Sequence, residues 1–130
     1  MAKQSPTSRA LQDLRTQGWQ PATVERWNPG ARRRVDLFGG IDIIAVHPLF
    51  VGVLGIQVTT KAHMADRFTK LTTPPVVEKM RRWLDAQNAL EIWGYAKAGP
   101  RGGRKTWQLT RRVVSLRDLE ATHGNHTVQP

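Results

Sequence analysis

The chain has no cysteine at all, which removes disulfides, thiolate-held zinc and thiol nucleophiles from consideration. Acidic residues are scarce as well. Ten Asp and Glu stand against twenty Lys and Arg, for a formal net charge of +10. Such an excess implies an anionic partner, nucleic acid first among them; the alternative is a basic protein with no such partner. No apolar run approaches the roughly 20 residues that span a bilayer, and residues 1–20 lack the apolar core of a signal peptide. A soluble, cytoplasmic protein is the expectation.

What is present suffices for one core. Hydrophobic residues make up 39% of the 130, which suits a single domain, expected over residues 1–117. Residues 118–130 lack a pattern and read as a disordered tail. Ser5-Pro6 has the form of an N-cap followed by Pro at the first helical position. The helix runs to Gln17, shows Ala10, Leu11 and Leu14 on one side, and stops at Gly18. Residues 19–27 read as a first strand and Asn28-Pro29-Gly30 as a turn. Helical spacing returns over residues 62–71 and again over 76–87, where Val77, Met80 and Leu84 share a face. Residues 90–97 alternate as a half-exposed strand, residues 98–104 form a basic Gly-rich loop, and 105–109 and 111–116 continue the sheet. This order predicts an α/β fold, a central mixed sheet with flanking helices.

Residues 35–46 and 53–61 contain two β-branched apolar runs around His47-Pro48 and Gly52, the pattern of a β-hairpin. Each run carries a polar residue where a half-buried strand favours an apolar one: Asp42 and Gln57. With the turn centred near Leu49 and Phe50, Asp42 falls opposite Gln57 on one face. Thr59 shares that face, while Ile56 and Val58 point the other way.

A carboxylate on one strand beside an amide oxygen on its neighbour suits a hard cation such as Mg²⁺ or Mn²⁺, which takes oxygen ligands and keeps several waters. A backbone carbonyl near residue 58 would add a third oxygen. Such a metal polarises a phosphodiester and activates water, and Lys61 would stabilise the developing charge. The alternative for Asp42 is a strand-end residue satisfied by local backbone N–H groups. Arg32-Arg33-Arg34 cannot all share one strand face, so part of the run projects toward phosphate unless it is simply solvated.

These residues resemble the PD-(D/E)XK nuclease superfamily, the restriction-endonuclease-like fold. The resemblance spans residues 11–114 and is strongest from Asp36 to Lys61. It implies that Asp42 is the metal-binding Asp of the second strand. The Glu-X-Lys positions of the third strand fall on Gln57-Val58-Thr59. Gln in the first slot is similar to the Mrr-type branch; Thr59 departs from the family lysine, and Lys61, two residues on, is the nearest substitute. The resemblance also implies an extra acid from an earlier element, for which Glu25 and Asp36 are candidates and Asp36 is preferred. The implied activity is Mg²⁺-dependent DNA endonuclease, acting as a homodimer, with Asp36, Asp42, Gln57 and Lys61 at the site. Arg32, Arg33, Arg34, Lys61, Arg67, Arg101, Arg104 and Lys105 would contact nucleic acid. The missing Glu and Lys leave open a non-catalytic DNA-binding protein on the same scaffold, and more remotely an assembly protein that meets an acidic partner.

Overall fold

Ser5 starts the first helix as its N-cap, its hydroxyl accepting the Ser8 N–H at 3.1 Å, with Pro6 at the first helical position. The computed structural model describes residues 4–123. Helix α1 (Pro6–Thr16) buries Ala10 and Leu14, and Gly18 turns the chain away at φ +89°.

The strand expected over residues 19–27 is broken in two. β1 (Gln20–Thr23) pairs with β4 (Ile43–Val46), whereas β2 (Arg26–Asn28) forms a separate two-stranded sheet with β3 (Arg33–Val35). The ladder ends physically at Val24, whose N–H still reaches Asp42 O at 2.9 Å. Beyond β2, the Asn28 side-chain oxygen accepts the N–H groups of Gly30 and Ala31 and folds the chain back.

β4 and β5 (Leu54–Thr60) make the hairpin in the expected register, Ile43 facing Ile56 and Ala45 facing Leu54. Asp42 immediately precedes β4, and its N–H donates to Ile56 O at 2.9 Å. A 3₁₀ turn, Lys61–His63, then leads through α2 (Met64–Leu71) and α3 (Val77–Asp85) into β6 (Ala89–Ala98), which lies parallel to β5. β7 (Thr106–Val114) returns antiparallel, and α4 (Leu116–His123) follows. The sheet order is β1-β4-β5-β6-β7. The molecule is therefore α/β, with a mixed five-stranded sheet between helices.

Two apolar layers cover the two faces of this sheet. Ala10 and Leu14 of α1 pack with Ile43, Ile56, Val58, Trp93 and Tyr95. On the other face, Leu71, Val77, Met80 and Leu119 of the later helices pack with Leu90 and Ile92. Fully burying such a side chain contributes about 1.5–3 kcal/mol. β6 is thus buried on both faces from Leu90 to Tyr95, not half exposed. Alternation misleads because a central strand with a parallel neighbour is covered on both sides. Trp93 and Tyr95 are core residues for the same reason. The stretches 105–109 and 111–116 merge into one long β7 that ends at Val114.

The expected tail boundary also moves. Residues 118–123 belong to α4, where Ser115 and Asp118 cap each other and Leu119 is fully buried. The rest of that expected tail, residues 124–130, lies outside the described residues. No helix among the described residues is long and apolar enough to cross a membrane.

Between β3 and β4, Gly40 sits where an added Cβ would run into the Leu71 side chain of α2. Gly40→Ala is expected to destabilise the protein by about 1–3 kcal/mol, the range for overpacking a dense core. Thermal unfolding checks this; an unchanged midpoint would show that α2 can retreat at no cost.

Candidate metal centre

Three carboxylates converge from separate stretches of chain. Glu25 follows β1, Asp36 follows β3 and Asp42 leads into β4; one oxygen from each lies within 4.8 Å of the others. A small reverse turn makes this possible. Leu37 and Ile41 pair antiparallel, exchanging N–H···O bonds of 2.9 and 3.0 Å, and the flanking residues Asp36 and Asp42 are drawn together. Phe38 at φ +54° and Gly39 at φ +80° reverse the chain between them. Glu25 arrives because Val24 continues the β1 ladder onto Asp42 O.

Asp42 is buried, and two donors hold the same oxygen. Gln57 Nε2 donates to Oδ2 at 2.6 Å and the Val58 backbone N–H donates to it at 2.8 Å. The amide orientation of Gln57 follows from its two neighbours: its Oε1 accepts from Lys70 Nζ at 3.4 Å. Lys70 Nζ also forms an ion pair with Asp36 Oδ2 at 3.1 Å. Asp36, Lys70, Gln57 and Asp42 therefore form one continuous polar chain beneath the acidic cluster.

Burial pushes the Asp42 carboxyl up to about 7, and the neighbouring acids Asp36 and Glu25 reinforce the effect against the pull of the Val58 N–H. Burial also acts on Asp36, but the hydrogen bond shared with Asp42 and the ammonium of Lys70 outweigh it and hold Asp36 below its ordinary value. Near neutral pH Asp42 is thus about half protonated, while Asp36 stays ionised.

The expected residues land as follows. Asp36, Asp42 and Gln57 come together, and Glu25 joins them alongside Asp36. Gln57 turns its amide nitrogen to Asp42 and its oxygen to Lys70, so in this arrangement it orients the carboxylate rather than offering a free ligand oxygen. At residue 58 the backbone supplies its N–H, not a carbonyl. Lys61 is exposed in the 3₁₀ turn and makes no hydrogen bond or ion pair among the described residues. The face-alternation rule stops where β5 ends at Thr60, so it cannot carry Lys61 back to the site. The ammonium that reaches the cluster is Lys70, from the last turn of α2. Nothing in the local sequence singles out Lys70; only the crossover of α2 above Gln57 does.

A cleft of about 370 Å³ opens onto Asp36 and is walled by Arg33, Arg34, Arg67 and Lys70. Arg67 Nε is buried without a hydrogen-bond partner among the described residues. Arg32 lies at the β2–β3 tip with φ +55°, next to this wall. Arg101 and Arg104 are exposed in the β6–β7 loop, off the sheet end where β5 also finishes, and Lys105 Nζ braces that loop on the carbonyls of Gly99 and Pro100.

The donor set fits a hard divalent cation. Oxygens at about 2.1 Å from Mg²⁺ stand ~3–4 Å apart, so a small contraction of the three carboxylates completes a site that must also lose the Asp42 proton. Cation affinity should therefore rise as pH climbs through 7. Stability runs the opposite way. A carboxyl raised in the folded state contributes stability that is complete below its unfolded value near 4 and is lost as pH rises through about 7. Asp42→Asn mimics the protonated form, so it should stabilise the metal-free protein by roughly 1–3 kcal/mol at pH 8, with little change at pH 4. If the three carboxylates hold a divalent cation, it should also abolish the stabilisation that added Mg²⁺ gives. Calorimetric melting at both pH values, with and without Mg²⁺, measures both effects.

Comparison with known proteins returns no matching family model, and no match among curated proteins or solved structures.

Proposed function

We propose that this chain is a Mg²⁺- or Mn²⁺-dependent endonuclease that hydrolyses phosphodiester bonds of DNA on a restriction-endonuclease-like scaffold. The observation that carries the reading is the convergence of Glu25, Asp36 and Asp42, within 4.8 Å of one another, beside the Lys70 ammonium and under a wall of arginines. A net charge of +10 supports a polyanionic substrate.

In this reading the three carboxylates hold the cation, which would polarise the phosphodiester and acidify a bound water. Gln57 and the Val58 N–H fix the direction of Asp42. Lys70 sits at the edge of the cluster, where an ammonium can orient the attacking water or offset charge on the phosphate. Arg67, with its unpartnered Nε, and Arg33 and Arg34 receive the neighbouring phosphate oxygens. Arg32, Arg101 and Arg104 extend the grip along the strand. Compared with the family pattern, Gln replaces Glu on the third strand while Glu25 adds a carboxylate, and the lysine moves from strand to helix.

The second reading is DNA binding without cleavage. The Asp36–Lys70 ion pair favours it, since a lysine already neutralises one of the three acids. Divalent-ion dependence separates the two.

Purified protein with Mg²⁺ or Mn²⁺ should nick supercoiled plasmid, and Asp42→Ala should abolish nicking. Lys70→Met should lower the cleavage rate by about 10²–10³-fold, the range for losing one preorganised charge-stabilising donor, while Lys61→Met should stay near the parent rate. Full activity in Lys70→Met would remove the assigned role. Binding without cleavage under any divalent ion would select the second reading. In both cases affinity should fall with salt, with a log–log slope of about −0.9 per neutralised phosphate on duplex DNA.

A further inference from the structure

A second cavity, of about 510 Å³, is lined by Phe38, Lys79, Arg82, Trp83, Ala86 and Asn88. It touches the same loop as the acidic cleft: Asp36 and Gly39 border the cleft, and Phe38 between them borders this cavity. Its volume falls within the roughly 300–1,000 Å³ of small-ligand sites. Its character is different from that of the cleft. Two aromatic rings, Phe38 and Trp83, stand with centroids 6.3 Å apart at 59°, and two cations, Lys79 and Arg82, lie beside them.

Two of the lining side chains are anchored, Trp83 and Asn88, the latter by accepting the Val53 N–H at 3.0 Å. Lys79, Arg82 and Trp83 fall at i, i+3 and i+4 on one face of α3, continued by its C-cap Ala86, while Val77 and Met80 enter the core. Trp83 Nε1 donates to Ala89 O at 2.7 Å, and its ring lies over Gly55, where an added Cβ would come within 3.0 Å of it. Phe38 is the anomaly. It is 47% exposed and adopts φ +54°, a backbone region that disfavours a bulky residue and suits Gly or Asn. A strained, exposed aromatic next to an acidic cluster points to a ligand rather than to folding.

We propose that this cavity receives one unstacked nucleobase of the DNA strand whose backbone enters the acidic cleft. The base would lie against the Phe38 ring with Trp83 at its edge, and Lys79 and Arg82 would pair with the flanking phosphate. Asp36 and Phe38 are two residues apart, so their Cα atoms are separated by at most about 7 Å, comparable to one step along a nucleotide chain. Stacking on an aromatic ring is tolerant of base identity, so the site favours single-stranded, frayed or distorted DNA over intact duplex without reading sequence. The position of the phosphate rests on the proposed nuclease reading; the base site itself is tested without cleavage.

The experiment compares two end-labelled oligonucleotides of equal length and charge, an oligothymidylate and the same strand built of abasic residues. Binding is followed by fluorescence anisotropy in EDTA. The parent protein should prefer the base-bearing strand by about 10-fold or more, as loss of a base stack implies. Phe38→Asn, which suits the left-handed backbone and so preserves the turn, should erase that preference. Phe38→Tyr should keep it, and Arg82→Gln should weaken both strands alike. Equal binding of the two strands by the parent, no binding of either, or a preference that survives in Phe38→Asn overturns the proposal and leaves the aromatic face to a protein partner. Plasmid nicking together with equal strand binding would sink the base site and spare the nuclease reading. A Phe38-dependent preference without nicking would do the reverse.

Discussion

The buried carboxylate of Asp42 is the constraint around which the rest of the site is organised. A carboxyl in that position must be hydrogen-bonded, protonated or bound to a cation, and the protein uses the first two. Gln57 and the Val58 N–H hold one oxygen from the neighbouring strand, while burial and the nearby acids keep a proton available near neutral pH. Because both donors come from β5, the β4–β5 register and the direction of the carboxylate are the same fact. A one-residue slip would turn Gln57 into the layer that Ile56 and Val58 now occupy, send those two to the other face and leave Asp42 unpaired.

From Asp42 the polar chain runs through Gln57 to Lys70 and back to Asp36. It joins three pieces of backbone that are distant in sequence: the turn after β3, the central strand β5 and the last turn of α2. Lys70 is thereby tied to the sheet by charge as well as by the neighbouring Leu71 in the core. On the proposed reading this arrangement preserves the charge balance of a nuclease site with different donors. Gln57 removes a negative charge that Glu25 restores from the β1–β2 connection, and the ammonium approaches from a helix instead of the strand. The proton on Asp42 then acts as the placeholder for the cation.

The loop of Phe38 to Gly40 separates two environments of opposite character. One side is acidic and walled by arginine; the other is aromatic and edged by cations. On the proposed reading the two sides act as a backbone-binding groove beside a stacking surface, the general arrangement of proteins that hold unpaired nucleic acid strands. The exposed β-hairpin tip, Leu49 to Val51, lies beyond the opposite end of β4 from Asp42, and the aromatic side reaches toward that end, where Asn88 Oδ1 accepts the Val53 N–H at 3.0 Å.

Much of the fold was legible because local signals decided it. Ser5-Pro6 and Gly18 bound α1, the apolar spacing of Val77 and Met80 sets the buried face of α3, and the turn centre near Leu49 sets Asp42 against Gln57. These depend on neighbours within a few residues. Tertiary structure alone decided the rest. β6 looked half exposed because alternation cannot reveal that a central strand will be covered on both faces. The break at Val24 that frees Glu25 depends on where the partner strand β4 begins. Lys70 enters the site because the crossover from β5 to β6 lays α2 across Gln57, whereas Lys61, in the turn after β5 ends at Thr60, makes no bond to it among the described residues. Sequence by itself determined which residues could form the buried polar pair; the crossover and the turn at Phe38 decided which charges would surround it, since electrostatic partners are set by distance in space rather than along the chain.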